Sequence, residues 1–160
     1  MPNIIQNGSF AIGLEHWDVS PVYCTEPPAH TVRVEEISEY RVGTPYSNPA
    51  LYIEAGEAIF IKQSYHPMVA IAEDSHLRFI VHGQMASFYV NIHYEDGTVD
   101  DFEFGGSWPQ IWAIQQVPVS TVKGIVQIEF YFFTAIEFYI DNIYLQGRFV
   151  MPGSPMRLNI

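Results

Sequence analysis

The chain has one cysteine, Cys24, so it forms no internal disulfide, and no metal or redox spacing surrounds that residue. It is also poor in positive charge. Seven Lys and Arg face 18 Asp and Glu, for a formal net charge of −11. No basic cluster offsets this, so nucleic-acid backbones and anionic lipid surfaces are unfavourable partners. No apolar run reaches the length of about 18 residues that a membrane-spanning helix needs. The start, MPNIIQNGSF, has neither a charged leading segment nor a long apolar stretch, and so reads as lacking a secretory signal. That leaves the cytoplasm, or a surface or spore coat reached by another route, and localisation stays open. No helical period persists beyond two turns. The enzyme motifs G-x-S-x-G, H-E-x-x-H and a phosphate-binding loop are missing. The six histidines are His16, His30, His66, His76, His82 and His93, and none makes the His-x-His pair of a cupin metal site. His93 and Glu95 form only a lone pair. Glu129 lacks a clear second carboxylate, with Glu54 and Glu103 the candidates, so a glycosidase pair is not evident. The expectation is a protein that is not an enzyme.

What remains is β-forming sequence. Hydrophobic residues make up 48% of the 160, enough for one sizeable core, and aromatics reach 15%. Short β-branched and aromatic runs bounded by turn residues predict strands near 3–6, 31–35, 50–54, 58–65, 77–84, 88–95, 99–104, 111–117, 125–133 and 137–145. Asp96-Gly97 predicts a tight hairpin turn. Residues 23–48 read as one strand followed by a long surface loop. Residues 1–146 are expected to form the domain, with 147–160 as a tail that either straps the sandwich or docks elsewhere. This pattern predicts an all-β sandwich or barrel.

Strand parity separates two faces. Leu77, Phe79 and Val81, then Phe88, Val90 and Ile92, then Ile128, Phe130 and Phe132 form apolar faces and mark the core. Opposite them lie Arg78, His82 and Gln84, with Ile80 among them; Tyr89, Asn91 and His93; and Gln127, Glu129, Tyr131 and Phe133. If these strands adjoin in one sheet, the second face is a broad surface of aromatic rings and planar polar groups. Rings stack on the C–H faces of sugars, and amides, carboxylates and imidazoles bond their hydroxyls. The same face also suits a protein interface or a plain solvent face. Within FYIDNIYL, Phe138 and Ile140 have one parity and Ile143 and Leu145 the other. The alternation therefore switches at Asp141-Asn142, which predicts a kink or bulge there.

The segments NIIQNGSF and GLEHW, then PALYIEAGEAIFIKQSY, HLRFIVHGQM with FYVNIHYEDGT, WAIQQVPV and FYIDNIYL follow one another in an order that resembles the family 4/9/22-type carbohydrate-binding modules, across residues 3–145. The resemblance implies a galactose-binding-like jelly-roll sandwich of two antiparallel sheets that binds carbohydrate without changing it. It implies a structural calcium ion held by Asp141, main-chain carbonyls and the residue after NGSF, which here is Ala11 in place of an acid. It also places ligand-binding residues at His82, Gln84, Tyr89, Asn91, His93, Glu129 and Tyr131, with Trp108 and Tyr46 as loop candidates and Trp17 and Trp112 as packing residues. The start MPNII-x-NG is similar as well to small domains that precede collagen-like repeats in spore-surface proteins of Gram-positive bacteria, although no Gly-X-Y repeat is present. The alternative function is therefore a structural or assembly module that uses the same face as a protein interface, with a homo-oligomer as one outcome.

Overall fold

The structure is a computed structural model and describes residues 3–21, 30–36, 49–55, 59–71, 76–106 and 113–150. The strands among these residues are β1 (Asp18–Pro21), β2 (His30–Glu36), β3 (Pro49–Ala55), β4 (Ile59–Ile71), β5 (His76–His82), β6 (Met85–Tyr94), β7 (Val99–Phe104), β8 (Ala113–Pro118), β9 (Ile125–Tyr144) and β10 (Gly147–Phe149). Every pairing is antiparallel. Among the described residues no helix is long and apolar enough to cross a membrane.

Strand β9 organises the fold. Its first part pairs with β4 on one side and β6 on the other, through Ile128–Phe132. Its second part pairs with β3 and β5, through Phe138–Ile140. The first layer therefore runs β1-β4-β9-β6-β7, with β10 also on β4, and the second runs β2-β3-β9-β5-β8. The chain passes from one layer to the other at residues 133–137. Register shifts on β6 and β3 fall there, and Glu137 has a φ of 45°. Such irregularities bend a strand sharply enough to turn a sandwich corner. The two segments expected as separate strands at 125–133 and 137–145 are thus one continuous strand shared by both layers. The expected strand at 3–6 is a correction too. Only Asn3 bridges to Gln146, and the chain then turns, because Asn7 and Phe10 take positive φ.

The inward faces meet in a core of aromatic and β-branched side chains. Phe79 of the second layer sits edge-on to Phe130 of the first at 5.3 Å, and Phe88 meets Phe138 at 5.6 Å. Offset and edge contacts of this kind add to the burial itself. The kink read from FYIDNIYL is present. Arg78 faces Tyr144 but Ile80 faces Asp141, so β9 carries one extra residue, and Asn142 has a φ of 48°. Asparagine tolerates that left-handed conformation better than most residues.

The N-terminal motif proves to be a structural clamp. Asn7 Nδ2 donates to the carbonyls of Gly13 and Glu15 at 2.9 and 2.8 Å, and Trp17 Nε1 donates to Asn7 O at 3.1 Å. Buried Gln63 of β4 grips the same turn, accepting from Gln6 N and donating to Gln6 O, both at 2.9 Å. Trp17 is buried and tilts against Phe10, a packing role. Asp96-Gly97 forms the expected turn: Gly97 has a φ of 85°, and Asp96 Oδ1 accepts from Thr98 N at 2.9 Å. At the other end, Gly147–Phe149 pairs with Val69–Ile71 and extends the first layer.

Candidate ligand-binding site

The outward face of the first layer is built from cross-strand rows. In the central row Asp18, Lys62, Glu129, Asn91 and Asp101 stand opposite one another on β1, β4, β9, β6 and β7. The next row holds Phe60, Tyr131, Tyr89 and Glu103, and the row on the other side holds Ser64, Gln127, His93 and Val99. Each side chain points outward because its neighbours, Ile128, Phe130, Val90 and Ile92, fill the core.

Glu129 is the centre of this face. It is only 8% exposed although it lies on an outward surface. Asn91 Nδ2 donates to Glu129 Oε1 at 2.9 Å, Gln127 Nε2 approaches Oε2 at 3.5 Å, and His93 Nε2 lies 3.7 Å from Oε1. Ser64 Oγ donates to Gln127 Oε1 at 3.3 Å and extends the network to β4. His93 Nε2 is buried and makes no hydrogen bond. Beside this polar cluster runs an aromatic strip. Phe60 stacks on Tyr131 at 4.5 Å and 17°, Phe133 meets Tyr131 at 4.4 Å, and Tyr89 meets Phe133 at 5.3 Å. The strip is partly open, with Phe133 40% exposed.

The structure divides the residues expected on one surface. Tyr89, Asn91, His93, Glu129 and Tyr131 come together on the first layer. His82 and Gln84 do not join them, because β5 pairs with the second half of β9. The reason is the layer switch at 133–137, which parity within single strands cannot reveal. Phe60 and Phe133 complete the strip. Phe133 was on the polar face by parity, whereas Phe60 becomes visible only through the register of β4 against β9. Trp108, Tyr46 and Trp112 lie outside the described residues. Glu54 sits on β3 of the second layer, and Glu103 lies one row and two strands from Glu129, so neither forms a close carboxylate pair with it.

His82 and Gln84 line a different cleft of about 240 Å³ with Arg33, Glu35, Tyr52, Gly83, Glu137 and Tyr139. Its polar groups are largely committed to one another. Arg33 Nε donates to Glu35 Oε1 at 2.7 Å, Tyr139 OH donates to Glu35 Oε2 at 2.9 Å, and Gln84 bonds Glu137. Arg33 also lies over the Tyr52 ring at 4.8 Å. Burial, then the bond to Glu35, pushes the Tyr139 hydroxyl up to about 12.

Asp141 is fully buried at the β9 bulge, whereas Ala11 is exposed in the N-terminal turn and its side chain offers no oxygen. Among the described residues no three His, Cys, Asp or Glu cluster as a metal site. Calcium takes six to eight oxygens, so a site here would rely on one carboxylate and main-chain carbonyls and would be weak.

Comparison with known proteins finds β-sandwich domains of similar architecture among solved structures. No family model and no curated protein matches the sequence. Among solved structures, a family 61 carbohydrate-binding module in complex with β-1,4-galactotriose is similar at a TM-score of 0.67 and 16% identity, covering 92% of this chain and 100% of that one. A family 16 carbohydrate-binding module is similar at 0.56 and 16%, covering 90% and 99%. The enzymatically active domain of bacteriophage CBA120 tailspike protein 4 is similar at 0.67 and 13%, covering 91% of this chain, which spans only 21% of the tailspike chain. At these identities the likeness establishes the fold alone, an antiparallel β-sandwich.

Proposed function

We propose that the chain is a non-catalytic carbohydrate-binding module of the 4/9/22 type that holds a glycan on the outward face of its first layer. The observation that carries this reading is the adjacency of the Tyr89–Phe133–Tyr131–Phe60 strip and the Asn91–Glu129–His93–Gln127 cluster on one preformed sheet. The strip supplies stacking surface. The cluster supplies acceptors and donors whose positions the ladder fixes before binding, which lowers the ordering cost. Glu129 would accept from sugar hydroxyls, with Asn91 holding its carboxylate in place. The affinity of such an open platform is micromolar to millimolar, about −8 to −4 kcal/mol. A calcium ion, in this proposal, is held weakly by Asp141 and carbonyls and serves stability alone.

The test is a glycan array with and without calcium or chelator, repeated with Tyr89→Ala and Tyr131→Ala. Binding to one glycan class that both substitutions abolish, with the melting temperature little changed, is the expected result. A higher melting temperature with calcium than with chelator would support the ion. Retained binding in both variants would move the site off this face. A blank array together with a stable oligomer that protects Tyr89 and Tyr131 from solvent would replace this reading with the assembly module.

A further inference from the structure

A cavity of about 350 Å³ lies away from the sheet face described above, where the ends of β5, β8 and β9 meet the N-terminal turn. Its volume falls in the lower range of small-molecule sites. The described residues that line it include Asn3, Arg78, Ile80, Ile114, Asn142 and Tyr144. Arg78 is the one charged side chain among them, in a chain where acids outnumber bases 18 to 7.

The register explains the assembly. Arg78 stands between Tyr144 of β9 and Gln116 of β8, and Ile80 stands between Asp141 and Ile114. The bulge at Asn142 inserts an extra residue between these two rows and brings Asn142 to the cavity wall. Among the described residues the side chains of Arg78, Asn142 and Tyr144 make no hydrogen bond or ion pair, unlike Arg33 and Lys123, which pair with Glu35 and Asp96. Asn3 differs: its Oδ1 accepts from Ile5 N and Leu145 N, so it is structural. Asp141 is buried and does not line the cavity. Ile114, 65% exposed, forms an apolar wall with Ile80.

We infer that this cavity binds a ring-sized organic monocarboxylate. Arg78 takes the carboxylate in a two-point contact, the Asn142 amide and Tyr144 hydroxyl bond its flanks, and Ile114 and Ile80 cover the ring. A guanidinium fork matches a carboxylate, and a lone cation balances one negative charge. The apolar wall disfavours a small, fully hydrated anion. The carboxylate could belong to an apolar cyclic acid or to a uronic acid, and the two are separable by experiment. The inference does not depend on the glycan reading, since it uses a different surface and different residues.

The test follows protein resonances by NMR while cyclohexanecarboxylate, glucuronate, glucose and sulfate are added separately at about 10 mM, a concentration that detects millimolar affinity. Either carboxylate should shift the signals of Ile80, Ile114 and Tyr144, and which one does identifies the source. Glucose should not. Arg78→Gln should weaken carboxylate binding at least about tenfold, as loss of a charge-assisted contact does, with Arg78→Lys in between. Arg78 is exposed, so both variants should keep the wild-type melting temperature and the wild-type glycan-array profile. No response to either carboxylate, an equal response to sulfate, or unchanged affinity in Arg78→Gln would each overturn the inference.

Discussion

Gly8 and Gly13 share the N-terminal turn, yet a methyl group meets different resistance at each. At Gly8 an added Cβ overlaps the main-chain carbonyl of Ile143, to which the turn is tied by Ile143 N donating to Gly8 O at 3.0 Å. Backbone must move, and Gly8→Ala should cost about 3 kcal/mol. At Gly13 nothing lies within 4 Å, but φ is +69°, so Gly13→Ala should cost about 1 kcal/mol through conformation alone. Urea midpoints of the two variants check the order, and equal losses would show that the turn relaxes freely around Gly8. The NG pair was legible as a motif in the sequence. That its glycine serves a close approach to β9 was not, because the partner carbonyl is far along the chain.

Among the elements, β9 carries the most architecture. Its apolar side chains change parity on either side of Ala135, between Phe132 and Phe138, and again between Ile140 and Ile143, which marks one bend at the sandwich corner and a second at the bulge. The second bend depends on Asn142 at a φ of 48°. Asn142→Gly should leave stability nearly unchanged, since glycine accepts this conformation. Asn142→Val should lose about 1–2 kcal/mol, because a β-branched residue resists it. Chemical denaturation of both variants separates the cases, and a neutral valine would mean that the bulge can slide along the strand. The parity switch at Asp141-Asn142 was readable from FYIDNIYL. The switch near Ala135 was also present in the sequence, but it resembled a break between two strands, because local alternation does not say which neighbours each half pairs with.

At the scale of the whole molecule, tyrosines in both layers link stability to alkaline pH. Burial raises Tyr65 and Tyr94 of the first layer and Tyr52 of the second above their ordinary value of 10.0, and Tyr139 to about 12. The folded state keeps these protons after the unfolded chain has lost them. Their contribution to stability should therefore be constant below pH 10 and fall as pH rises from 10 through 12. Tyrosinate absorbance should appear later in the native protein than in urea, with a further step on alkaline unfolding. Superposable native and denatured curves would contradict the burial of these hydroxyls.

Local sequence determined most of the strands, though not β1, β10 or the continuity of β9, together with the inward faces, the Asp96-Gly97 turn and the bulge in β9, because alternation and turn chemistry act between near neighbours. It also brought Tyr89, Asn91 and His93 to one face of β6, and Glu129 and Tyr131 to one face of β9. Only the tertiary structure decided that those two faces adjoin while His82 and Gln84 lie on the other layer. It alone placed Phe60 beside Tyr131 and Arg78 at the rim of a cavity. Those placements depend on which strands pair and in what register, and pairing is set by contacts between residues remote in the chain.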